Sequence, residues 1–324
     1  MPSSPKPSAS RRGCSIVALL ASVLATCLLP ADASAEPAAG EEVLAAGGLV
    51  LVANADVQIE HQDLTIGTDR IRVVSVLRNS GEYDVNLLVT FALPDIDAIW
   101  IWDQPPLLPR SGDENFVEAA TTANGEHVVP QLEQRATALG LDVTETLRSL
   151  AIPLFPYASG LPDRIAALAP AVKGDLVSRG VLKAGSQGLL PAWTLRTTSH
   201  WRQLFPAGKS VTLALSYRPV IGRPTGSLAA FERQACLDSA KARRLEASAR
   251  EGRPQRITVV SFQATAGAAW ADPIGQFRLT IDKPSGTAQV ATCRTGLSAV
   301  SPTQLEWSAR DHAHEDDLTV LFAE

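Results

Sequence analysis

The sequence predicts a mainly β (α+β) protein, an antiparallel β-sandwich in one or two packed regions with helical insertions. Three observations predict it. Short runs alternate apolar and polar side chains, the period of a strand with one buried face. Gly and Pro, 22 of each, punctuate those runs. With 45% hydrophobic and 19% charged residues among 324, the chain can fill one large or two medium cores. That excludes a disordered chain, a collagen-like repeat and a small disulfide knot.

Residues 1–35 read as a secretory signal. Lys6, Arg11 and Arg12 precede an apolar stretch from Ile16 to Leu29, and Ala33-Ser34-Ala35 is a small-x-small cleavage site before Glu36. The stretch is too short to span a bilayer, and Pro30 and Asp32 end it. Two rival features accompany it: Arg11-Arg12 fits twin-arginine export, but Gly13-Cys14-Ser15 follows in place of apolar residues. Leu24-Ala25-Thr26-Cys27 approaches a lipoprotein box, with Thr26 where a smaller residue is usual. Cleavage near Ala35 gives a periplasmic or secreted protein of 289 residues and net charge −7, with no membrane span. Its basic residues, mostly Arg, are scattered, which argues against nucleic acid as a partner.

The mature chain divides into 36–225, a β-region with a helical insertion at about 104–190, and 226–324, a helix followed by a second β-region. Leu49 to Ala53, Val57 with Ile59, and Leu64 with Ile66 carry strand patterns up to the turn Gly67-Thr68-Asp69. Ile71, Val73, Ser75 and Leu77 mark a long strand ending at Asn79-Ser80-Gly81-Glu82, and Val85 to Leu93 is next. Joined by so short a polar turn, these two strands are expected to pair as a hairpin. Val129 to Leu150 shows helical spacing through Leu132, Ala136, Leu139, Val143 and Leu147. Shorter helices are expected at Asp163 to Leu168 and Val172 to Arg179. Trp193, Leu195, Thr197, Ser199 and Trp201 share one parity, and Val211 to Tyr217 follows the turn Pro206 to Lys209. Leu228 to Arg250 is helix-prone, and Gly252 with Pro254 stops it. Strands are expected at Ile257 to Gln263, Gln276 to Ile281, Ala288 to Ala291, Gln304 to Ser308 and Leu318 to Phe322. No fixed-period repeat is present.

Motifs for nucleophilic or phosphate chemistry are missing: the chain has no Gly-x-Ser-x-Gly elbow, no Gly-x-Gly-x-x-Gly and no P-loop. No cofactor is expected. Trp100 and Trp102 stand among Asp95, Asp97 and Asp103, a pattern that can stack sugars or, through paired carboxylates, cleave a glycoside. Packing at a soluble sheet edge explains the same residues. Binding candidates are thus Trp100, Trp102, His200, Trp201, Trp270 and Asp272, the last two in the loop Trp270 to Gly275. His312 and His314 are candidate metal ligands within a run of acids, which also reads as a solvated turn before the final strand. Cys236 and Cys293, 57 positions apart, are the mature cysteines. In an oxidising compartment they pair most simply, with two buried thiols as the alternative. No Cys-x-x-Cys supports a redox role.

The order of several segments completes the reading. Ala46-Gly47-Gly48-Leu49, Glu60 to Ile66 and Phe91 to Ile96 come first. Trp193 to Gly208, Cys236-Leu237-Asp238, Trp270 to Phe277, Ile281-Asp282-Lys283 and Cys293 follow. Together they resemble the DUF4424 family of exported bacterial proteins of unknown function. The resemblance implies a β-rich exported protein, carries no catalytic residues over, and supports pairing of Cys236 with Cys293. Ala235 departs from the aromatic common before the first cysteine. The function expected is a non-enzymatic binding or envelope-interaction module whose partner is an envelope protein or small ligand. The alternative is a carboxylate-dependent hydrolase of envelope carbohydrate.

Overall fold

The fold is that of a computed structural model describing residues 46–52, 54–98, 108–110, 114–186, 188–222, 233–240, 242–243, 256–264, 273–313 and 317–324. The first strands are β1 (Ala46–Gly47), β2 (Val50–Leu51), β3 (Val57–Gly67), β4 (Ile71–Asn79), β5 (Val85–Ala92) and β6 (Ile96–Asp97). Then come β7 (Ala120–Ala123), β8 (Glu126–Val128), β9 (Gln131–Ala138), β10 (Leu141–Asp142), α1 (Thr144–Ser149), α2 (Leu161–Ala167) and α3 (Pro170–Ser178). β11 (Leu182–Gly185), β12 (Gly188–Pro191), β13 (Thr194–Phe205) and β14 (Ser210–Tyr217) lead to β15 (Ile257–Gln263) and β16 (Ile274–Asp282). β17 (Gln289–Thr292), β18 (Ser298–Ala299), β19 (Gln304–His312) and β20 (Leu318–Ala323) complete the chain.

Two large sheets form the sandwich. One runs β18-β19-β16-β3-β4-β14-β7-β8, antiparallel except where β16 lies parallel to β3. The other runs β10-β9-β13-β5-β2, with β6 also on β13. Their inner faces share one core, in which the rings of Phe91 on β5 and Tyr217 on β14 stand 5.3 Å apart. The fully buried Tyr217 hydroxyl donates to the Ala46 carbonyl at 2.9 Å, and burial pushes its ionisation well up. A third sheet, β1-β15-β20-β17, is buried on both sides of β20. Val320 and Phe322 enter the main core, while Leu321 and Ala323 meet Ala235, Leu237 and Ala242. Strands from both sides of residue 225 therefore share sheets, as β3 does with β16 and β1 with β15.

β3 explains a parity change in the sequence. Val57 and Ile59 are buried at odd positions, Gln62, Leu64 and Ile66 at even ones, and the register shifts between Ile59 and His61. The extra residue of this bulge keeps both apolar sets on one face.

Two expectations are corrected. β4 and β5 do not pair: β4 lies between β3 and β14, and β5 lies between β13 and β2. The ribbon β4–β14 instead turns at its end and continues as the ribbon β5–β13 in the opposite sheet, with Ser210 opposite Arg78 and Phe205 opposite Val85. A short turn sets where two strands meet in sequence, whereas the longer partners β13 and β14 decide which sheet each joins. The two corners hold each other through a buried Asn79. Its Nδ2 donates to the carbonyls of Tyr83 and Phe205, both at 2.8 Å, its Oδ1 accepts from the Gly81 N–H, and its own N–H donates to Lys209 O. Asn79→Ala strands these groups out of water, so the unfolding free energy is expected to fall by about 3 kcal/mol. Urea unfolding checks this, and a loss below about 0.5 kcal/mol, the scale of a plain surface change, would show that the corners stand without it.

The second correction concerns Val129 to Leu150. The expected helix is strand over Gln131–Ala138 and Leu141–Asp142, and only Thr144–Ser149 is helical. In β9 the buried residues are Ala136 and Ala138, two apart, while Leu139 is 81% exposed. Leu139 and Gly140, at φ 48° and 79°, make the two-residue turn between β9 and β10. The insertion at about 104–190 is accordingly as much strand as helix: β7 and β8 extend one sheet, β9 and β10 the other. α2 and α3 form where expected and bury Leu161, Ile165 and Leu176. Leu228 to Arg250 falls mostly outside the described residues.

Candidate functional site

The chain crosses from one main sheet to the other between Val128 at the end of β8 and Gln131 at the start of β9. Beneath this crossing lies a cleft of about 220 Å³ lined by Leu93, Asn115, Thr121, His127, Val128, Leu132 and Ser199, among others. Its floor follows from strand parity. Ser199 belongs to the inward set of β13, opposite Phe91 on β5 and Leu132 on β9. Thr121 on β7 stands opposite Leu215 and Val128. Where Trp193 just ahead of β13, and Leu195 and Trp201 on it, fill the sandwich, Ser199 is too small to do so, and space remains.

Ser199 and Thr121 are 4% and 5% exposed, and neither hydroxyl has a hydrogen-bond partner among the described residues. Asn115 is differently placed, because its carboxamide bonds both N–H and C=O of Ala119, at 2.8 and 2.9 Å. His127 is exposed. The cleft thus offers an apolar wall from Leu93, Val128 and Leu132, two hydroxyls from largely buried residues, and one imidazole open to water.

The residues singled out from sequence lie elsewhere. His200 follows Ser199 but projects from the other face of β13, opposite Thr90 and Gln131. Trp201 is buried, with its Nε1 donating to Gln203 Oε1 at 3.3 Å. Trp100, Trp102, Asp103, Trp270, Asp272 and His314 fall outside the described residues. Asp95 is held by Arg196, Nη2 to Oδ2 at 2.7 Å and Nε to Oδ1 at 3.1 Å. The expected solvated turn is corrected at His312, which ends β19 half-buried with its ring 4.6 Å from Phe277 and 5.4 Å from Trp307. Arg294 lies over Trp307 at 4.2 Å, and its buried Nε has no hydrogen-bond partner among the described residues. Among the described residues no three His, Cys, Asp or Glu side chains come together to hold a metal ion.

Sequence reasoning passed over Thr121, His127 and Ser199. A readable signal existed for Ser199: two small hydroxyl residues interrupt a run of large apolar ones at inward positions.

A charged network occupies the outer side of the larger sheet. Asp63 accepts Arg278 Nε at 2.8 Å and Nη2 at 2.9 Å, and His61 Nε2 stands 3.0 Å from its Oδ1. Partial burial raises the Asp63 carboxyl, but the bonds from Arg278 and His61 more than reverse this and hold it below the ordinary value.

Cys236 and Cys293 are bonded, with S–S 2.12 Å and Cα atoms 4.7 Å apart. Cys236 adjoins the buried Ala235 and Leu237, which pack on Val259, Ala291 and Leu321. The bond therefore ties the segment around 235–242 to the end of β17. No helix among the described residues is long and apolar enough to cross a membrane.

A candidate nutrient binding protein of Legionella pneumophila has a solved structure similar to this one at 12% identity and TM-score 0.47, covering 86% of this chain and 70% of that one. An M1 zinc metallopeptidase of Deinococcus radiodurans is similar at 8% identity and TM-score 0.26, covering 82% of this chain and 42% of that one. The chain therefore spans under half of the peptidase's length. No curated protein matches. The family model "Domain of unknown function (DUF4424)" matches residues 40–321, and the chain belongs to that family.

Proposed function

We propose that this protein is exported and acts as a non-enzymatic binding module, capturing a small molecule in the cleft between its two main sheets. The observation that carries the reading is a pair of hydroxyls, on the largely buried Thr121 and Ser199, that open into the cleft beside an apolar wall. Each hydroxyl opens into the cleft, so a ligand that bonds both can enter without leaving either unpaired, and a typical hydrogen bond contributes about 0.5–1.5 kcal/mol. Concave, mainly apolar surfaces with few convergent polar groups are the usual form of small-molecule sites. The signal at 1–35 and the bonded cysteines support an oxidising destination, the periplasm or beyond.

Native mass spectrometry of the protein recovered from the cell envelope tests the reading. The expected result is a chain beginning at Glu36 and carrying a non-covalent small molecule, which is lost in Ala120→Trp, a substitution at the exposed lip of the cleft. A cytosolic chain retaining residues 1–35 would overturn export. An equal load on the blocked variant would overturn the cleft, and catalytic consumption of the recovered molecule would overturn the non-enzymatic role.

A further inference from the structure

We infer that the cleft selects a small amphiphile whose buried end is uncharged: a short apolar chain ending in an alcohol, amide or carbonyl group. This rests on the binding role proposed for the cleft. Of the described side chains lining it, His127 alone can carry charge, and it is exposed to water rather than set in the floor. A carboxylate or ammonium pressed against Ser199 and Thr121 would lose its hydration and meet no counter-charge, which is strongly unfavourable. Hydroxyls suit a neutral polar group because each rotates to donate or accept, so the pair serves an alcohol or amide that does both. Leu93, Val128 and Leu132 supply the wall for the chain. At about 220 Å³ the space lies below the roughly 300–1,000 Å³ of sites for drug-sized ligands, so the molecule is short.

The probes are hexan-1-ol, hexanoate and hexylammonium, which share one chain and differ in the charge of the polar end. Each is titrated into the mature protein at pH 7.5, and amide shifts of Thr121 and Ser199 are followed by NMR. Hexan-1-ol is expected to move both amides and to bind at least tenfold more tightly than either ion. Ser199→Ala and Thr121→Val, which remove a hydroxyl with little change of volume, are each expected to weaken hexan-1-ol at least fivefold while leaving the ions unchanged. Comparison of the three probes on the unaltered protein stands even where a variant fails to fold. Equal or tighter binding of an ion at these amides would overturn the neutral class and leave the cleft as a binding site. No shift at Thr121 and Ser199 with any probe would overturn the inference, and the load on Ala120→Trp then decides the cleft separately.

Discussion

Replacing Trp193 with alanine is expected to destabilise the protein by about 4 kcal/mol, a large part of the roughly 5–15 kcal/mol that holds a domain folded. Trp193 is fully buried just ahead of β13, and two links converge on it. Its indole Nε1 donates to the Leu154 carbonyl at 2.7 Å, fastening the loop after α1. Its own carbonyl accepts the Ala98 N–H at 3.1 Å, fixing the end of β6. Alanine removes the ring, opens a cavity and leaves the Leu154 carbonyl without its donor. Trp193→Phe keeps most of the ring and loses the donor, so about 1–2 kcal/mol is expected. Urea midpoints of the two variants at unchanged slope separate packing from hydrogen bond. Equal losses would show that the indole N–H, not the ring volume, holds the site.

Removing the disulfide by Cys236→Ala with Cys293→Ala is expected to cost about 4 kcal/mol, the loop-closure entropy restored to the unfolded chain by freeing a 57-residue loop. Among the described residues, the segment it secures buries Ala235, Leu237 and Ala242 against the third sheet, a small apolar area to hold them by packing. Guanidinium midpoints with and without reductant, for native and doubly substituted protein, measure the effect. Reductant should shift only the native protein, and an unchanged midpoint on substitution would mean that packing suffices.

Much of the fold was legible because a strand with one wet face writes its period into the chain. β13, β14 and β15 appear in the sequence close to their observed bounds, since Trp193 to Trp201 and Val211 to Tyr217 keep one parity and Ile257–Gln263 is bounded by punctuation. β9 was not legible. Beyond the two residues that pair with β10 its outer side is open and most of its side chains are wet, so Leu132, Ala136 and Leu139 match helical spacing without sharing a buried face. Pairing across Asn79 to Glu82 was misread because turn length reports proximity in sequence and not the sheet each strand joins.

The candidate site shows the same limit more sharply. Tryptophans and histidines draw notice by chemistry, yet Trp201 is core, His200 lies on the far face of β13, and His312 packs in a ring cluster. Thr121 has no such mark in its neighbourhood, and Ser199 is marked only by the small hydroxyl residues that interrupt the large inward ones of β13.

By itself the sequence determined the β-rich class, the family and the two cysteines fit to pair, because composition, periodicity and segment order are local properties. Only the tertiary structure decided that two sheets exchange ribbons at Asn79 and that Thr121 and Ser199 line one cleft. Those depend on contacts between residues far apart in the chain, and a hydroxyl becomes a candidate ligand only when folding sets it in the wall of a cleft.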